Sequence, residues 1–151
     1  MTVTWVLITN GSYAKLLNAH NDAHEIRQVR EFLHPEIAKK EFDVSADLVG
    51  EFNRATPLKP ATLYSHKIKA YQRLVFAKEL ADYLEKAHGL NEFDTLIVVA
   101  PEDMLGALRK AMVKSLKDVV EYELGKDLLS MNLSNIELLE RVREDLGLVR
   151  F

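Results

Sequence analysis

The sequence contains no cysteine, which rules out disulfide bridges, thiolate nucleophiles and cysteine-based zinc sites. No apolar run approaches the roughly 20 residues that a bilayer-spanning helix requires, so no membrane insertion is expected. The opening segment, MTVTWVLITNG, lacks the basic start and the small-residue cleavage site of a secretory signal, and a cytoplasmic location is expected from it. Neither GxxxxGK[ST] nor GxGxxG occurs, so both of the glycine-built phosphate cradles are missing. No motif calls for a cofactor.

What is present fits one ordinary soluble domain spanning 1–151, with 48% hydrophobic and 28% charged residues. Charge is distributed unevenly. Between Phe52 and Lys78 stand Arg54, Lys59, Lys67, Lys69, Arg73 and Lys78, with no acid among them. This window carries +6, so a chain of net charge −3 holds −9 elsewhere. Segregation of this kind suits an anionic partner, although a basic stripe is necessary for nucleic-acid binding and not sufficient.

Residues 3–19, VTWVLITNGSYAKLLNA, read as a β-hairpin. Val3 to Thr9 is almost continuously apolar, as in a strand covered on both faces. Asn10-Gly11 supplies the positive φ angles of a tight turn, and Tyr13 to Ala19 returns. HNDAH reads as a second turn, and EIRQVREFL as a third, edge-like strand ended by Pro35, or else part of a helix. Residues 36–45 are weakly helical. From Ser45 to about Ser65 two prolines and a glycine break every period, and a flexible loop is expected at about 45–65.

A long helix follows, with Ile68, Tyr71, Val75, Phe76, Leu80, Tyr83, Leu84 and Ala87 at helical spacing and His88-Gly89 as its stop. Leu96 to Ala100 is a short apolar strand. The helix after Pro101 is expected to bury Leu105, Leu108 and Met112. VVEYEL alternates, placing Val120, Tyr122 and Leu124 on one face and Val119, Glu121 and Glu123 on the other. Ser134 with Glu137 forms a capping box for a last helix carrying Ile136, Leu139, Val142, Arg143 and Leu146. The order β-β-β, loop, α-β-α-β-α gives an α/β fold: a mixed sheet of early antiparallel strands and later crossovers, with helices packed on it.

The strand-to-helix joint LIVVAPEDMLGALRK is where open α/β sheets usually bind ligands. Here Glu102 and Asp103 already occupy the positive end of the helix dipole and would repel a phosphate, while Arg109 and Lys110 suit the later turns. Helix stability accounts for each of these charges. His20 and His24 flank a turn without a fixed third ligand. Glu41, Asp43, Glu51 and Asp47 read as hydrated loop acids. The adjacent Ser65 and His66 come with no nucleophile elbow. No catalytic residue and no metal site are expected.

With these pieces the chain resembles the bacterial host attachment protein family. TWVLITNGSYAKLL, DLVGEF, FAKELADYL, APEDMLGALR and KDLLSM carry the resemblance. The most specific is the pattern of Ala100, Pro101, Leu105, Gly106 and Arg109. Glu51 stands where the family tends to have arginine. The family is in turn distantly similar to the middle domain of archaeal and eukaryotic peptide-chain release factors. That similarity implies a ribonuclease H-like mixed sheet and a role at the ribosome. The chain has no Gly-Gly pair, so the Gly-Gly-Gln loop of release chemistry is missing. The resemblance therefore implies a non-enzymatic cytoplasmic module contacting RNA or the ribosome through Arg54, Lys59, His66, Lys67, Lys69 and Arg73. Two alternatives stand beside it: a protein-interaction factor in attachment to host cells or its regulation, and a hydrolase of peptidyl-tRNA or another ester.

Overall fold

The computed structural model describes residues 2–19, 28–33, 59–149 and 151, and only the backbone of 59–66. Among the described residues the chain runs β1 (Thr4–Thr9), β2 (Tyr13–Asn18), β3 (Gln28–Leu33), α1 (Lys59–Gly89), β4 (Thr95–Val99), α2 (Glu102–Ala111), α3 (Lys114–Lys117), β5 (Val120–Leu124), a 3-10 turn at Leu129–Met131, and α4 (Asn135–Asp145). The expected turn at HNDAH, the weak helix over 36–45 and the loop residues 45–58 lie outside the described residues.

The strands form one five-stranded sheet in the order β3-β2-β1-β4-β5. β1 pairs antiparallel with β2, and β2 with β3. β1 and β4, and β4 and β5, pair parallel. This is the expected mixed α/β sheet. β1 is apolar between Thr4 and Thr9, and β4 is apolar after Thr95, because helices cover both faces. Trp5, Leu7, Leu96 and Val98 enter a core shared with α1 and α2, whereas Val6, Ile8, Ile97 and Val99 enter a second core shared with α4. Trp5 stacks on Phe93, with ring centroids 4.7 Å apart. At the β3 edge, the Arg30 guanidinium lies 5.1 Å from the Phe32 ring centroid and 4.9 Å from that of Tyr83. Such contacts add to an exposed edge about 0.5–1 kcal/mol each.

Two tight chain reversals depart from expectation. Neither Asn10 nor Gly11 has a positive φ; among the described residues only Asn91, Asn132 and Gly147 do. Three residues connect β1 and β2, and the Asn10 side chain holds the turn. Its Oδ1 accepts from the Ser12 and Tyr13 amides, both at 2.9 Å, a side-chain substitute for the left-handed backbone. Thr9 Oγ1 also donates to the carbonyls of Asn10 and Tyr13 at 2.8 Å. α1 ends at Gly89, as expected, but the left-handed residue that follows is Asn91, with φ 59°.

Further corrections concern registers. α1 begins at Lys59, inside the segment expected to be loop. Among its described side chains the buried stripe starts at Phe76 and continues through Ala77, Leu80, Ala81, Leu84 and Ala87. Tyr71 and Val75, expected in the core, are exposed at 68% and 39%. In β5, Val120 pairs with Leu96 but Tyr122 pairs with Ile97, so Glu121 is an extra residue that shifts the register. Val120 therefore packs on the first core, while Tyr122 and Leu124 pack on the second. In α4, Ile136 faces solvent and Leu138 is buried beside Leu139 and Val142. The capping box of Ser134 and Glu137 is present as expected.

Phe76→Ala is expected to cost about 3–5 kcal/mol of stability, as for other buried aromatics. Tyr71→Ala should stay within about 0.5 kcal/mol, as an exposed substitution. Urea titration of both variants tests where the buried stripe begins. A second expectation concerns pH. Burial, then the hydrogen bond and the charge of Glu31, raise the Tyr13 phenol above its ordinary value of 10.0. The folded state thus holds this proton more tightly than the unfolded chain. Its stabilisation is complete below about pH 10 and is lost as pH rises through the folded value. Tyr13→Phe should flatten the loss of stability between about pH 9 and 11, measured by urea unfolding at each pH.

Candidate functional site

The basic window falls on α1. Arg54 lies outside the described residues; Lys59 and His66 belong to the helix, and nothing is described of their side chains. Lys67 and Lys69 are exposed. At about 100° per residue they point roughly 200° apart and cannot serve one flat surface together. Arg73 is not an open cation: its Nη2 lies 3.2 Å from Asp103 Oδ2, tying α1 to the first turn of α2. The six expected contacts therefore do not form a single patch.

A different face emerges from the helix geometry. Lys67, Tyr71, Leu74, Val75 and Lys78 follow one another at spacings of one to four residues and share one side of α1. All five are exposed, Leu74 at 40%. Two ammonium groups separated by about 16 Å along the helix thus bracket an aromatic ring and two aliphatic side chains. Sequence periodicity assigned Tyr71 and Val75 to the core because they continue from Ile68 at helical spacing. Counting back from Phe76 by three or four instead reaches Arg73 and Gln72, both polar. That break in the apolar stripe marked the point where α1 leaves the core.

The residues of the most specific motif have structural roles. Ala100 and Leu105 are buried in the first core. Pro101 is the N-cap of α2, and its carbonyl accepts from the Leu105 amide at 2.9 Å. Gly106 lies half-exposed between the buried Leu105 and Ala107. Arg109 grips the Glu123 carboxylate through both Nε and Nη2, tying α2 to β5. Glu102 leans over Gly125, leaving no room there for a Cβ without moving its carboxylate. The acids and bases of this joint are thus committed to helix ends and to neighbouring elements. His20, His24, His34 and the acids at 41, 43, 47 and 51 lie outside the described residues.

A mixed five-stranded sheet covered on both faces defines an α/β protein, and the candidate site is an exposed face of α1. The model of the family described as "Protein required for attachment to host cells" matches residues 5–139. The chain belongs to that family. An uncharacterised protein of Rickettsia prowazekii (strain Madrid E) is 30% identical over 90 residues, 56% of this chain and 57% of that protein. The chain therefore matches somewhat more than half the length of this relative. No described helix is long and apolar enough to cross a membrane.

The Arg73–Asp103 bridge is partly exposed, with the side chains 27% and 56% accessible. A double-mutant cycle of Arg73→Ala with Asp103→Ala should return a coupling of about 0–1 kcal/mol that shrinks in high salt. A much larger coupling would mean that the joint is held by this pair rather than by the core beneath it.

Proposed function

We propose that this host-attachment-family protein is a non-enzymatic, cytoplasmic, release-factor-related module that contacts RNA, on the ribosome or free, through the outer face of α1. The observation that carries this reading is the exposed row of Lys67, Tyr71, Leu74, Val75 and Lys78 inside a window without acids. Lysines supply phosphate contacts, and an exposed aromatic between them offers a stacking platform for an unpaired base. Lys59, His66 and Lys69 belong to the same helix, and Arg54 precedes it in the same acid-free window of sequence. Arg73 takes a positioning role through Asp103 in place of direct RNA contact.

If about three phosphates are neutralised, RNA affinity should fall roughly 20- to 40-fold between about 50 and 200 mM salt. Lys67→Glu with Lys78→Glu should abolish binding at moderate salt. Tyr71→Ala should weaken it by about 1–3 kcal/mol per stacked base while leaving the salt slope unchanged. Filter binding with single-stranded and duplex RNA, followed by ribosome co-sedimentation, measures both effects. Undetectable affinity at low salt, or equal binding by the double variant, would sink the RNA reading.

The apolar character of Leu74 and Val75 favours a second reading, a protein partner connected with attachment to host cells or its regulation. Aliphatic side chains at helical spacing are the anchors that a partner's groove accepts. That partner would be lost on Leu74→Ser with Val75→Ser and would depend little on salt, the reverse of the behaviour expected for RNA.

A further inference from the structure

On the opposite face of the sheet from α1, α4 covers only part of what β2 presents. Tyr13, Lys15 and Leu17 alternate onto this side of the strand, and Leu17 is buried in the second core beside α4 residues. Tyr13 and Lys15 instead border an open cleft of about 330 Å³. The cleft lies beyond the carboxyl end of β1, bounded by the turn at Asn10 and the segment after β5. Leu128 and Leu138, both buried, form its floor, and Leu129 and Leu133 its apolar wall. Asn132, held left-handed at φ 53°, stands on the rim. This volume is at the lower end of the range for small-molecule sites, and crevices outside strand carboxyl ends are where open α/β sheets bind ligands.

The polar groups around this floor carry no negative charge. Asn10, Asn132, Tyr13 and Lys15 line the cleft, and no acid does. Lys15 Nζ donates to the neutral Asn135 Oδ1 at 3.1 Å and forms no ion pair with a described carboxylate. Glu31 stands opposite Lys15 in the β2–β3 register and is engaged by the Tyr13 phenol. Asn135 in turn donates through Nδ2 to Gln28 Oε1 at 3.3 Å, which fixes the acceptor that orients Lys15. The Asn10 carbonyl oxygen is taken up by the turn amides, so its side chain has only its NH₂ donors left for a guest. An ammonium, amide donors and a leucine floor complement a molecule with one anionic head and a compact apolar body.

We propose that this cleft binds a small amphipathic anion, its carboxylate or phosphate head on Lys15 and the asparagine amides, its hydrocarbon part on Leu128, Leu129, Leu133 and Leu138. The site is independent of α1 and of any RNA contact there. NMR titration of the whole chain with octanoate, octyl phosphate and 1-octanol tests the assignment and separates the two head groups. At least one of the two anions should saturate and shift the amides of Lys15, Asn132 and Leu133. It should bind about tenfold more tightly than the alcohol, as a charge-assisted hydrogen bond requires. Lys15→Met, which keeps the apolar stem, should bring the anion to the level of the alcohol. Asn132→Gly, which suits the left-handed backbone, should weaken the anion without unfolding the loop and gives an independent readout if Lys15→Met disturbs the strand. Equal binding of anion and alcohol, shifts mapping elsewhere, no saturation by either anion, or variants that bind like the parent would each overturn the proposal.

Discussion

The structure depends on burying the β1–β4 parallel pair on both faces. Every residue of β1 is buried, and in β4 only Thr95 is partly accessible. Side chains alternate across a strand, so a continuous apolar run demands two separate covers. α1 and α2 provide one and α4 the other. The polar side chains within the pair are satisfied locally: the hydroxyls of Thr4 and Thr95 meet at 2.8 Å, and Thr9 Oγ1 donates to the Asn10 and Tyr13 carbonyls at the same distance. Each fully buried aliphatic or aromatic side chain in these layers is worth about 1.5–3 kcal/mol. Single ion pairs on the surface are minor by comparison.

The covers do not extend equally, and the functional proposals arise from that inequality. α1 is 31 residues long, yet its described buried stripe occupies only the stretch from Phe76 to Ala87. The turns before it carry cations and apolar side chains into solvent. α4 has 11 residues and reaches Leu17 while leaving Tyr13 and Lys15 at the border of a cleft. Both candidate surfaces lie where a helix and the sheet cease to match in length. The strand-to-helix joint, the place where ligand binding would first be sought, is consumed by its own stability: Asp103 by Arg73, Arg109 by Glu123 and Glu102 by its approach to Gly125.

Much of this architecture was legible in the residues. Two-sided strands announce themselves by unbroken apolar runs, the α2 joint by proline, acids and late bases, and the α4 start by its capping box. These signals are local and depend on backbone chemistry alone. The site was legible only in part. The acid-free window drew attention to α1, but of the residues chosen by charge Lys67 and Lys69 point to different sides of the helix and Arg73 is paired with Asp103. Tyr71, Leu74 and Val75 were missed because hydrophobic spacing by itself does not say where a helix stops touching the sheet. The extra Glu121 in β5 was hidden for a related reason: alternation in one strand says nothing about a register shift against its neighbour.

By itself, the sequence determined the class of fold, the order of elements, the missing thiol and glycine-loop chemistry, and the segregation of positive charge. Each follows from composition or from periods within a single segment. Tertiary structure decided which apolar residues face solvent, which cations are paired and where the second layer leaves a cleft. Those outcomes depend on distances between segments far apart in the chain. Arg73 meets Asp103 and Lys15 meets Asn135 only because the sheet brings them together, and no local period encodes such a meeting.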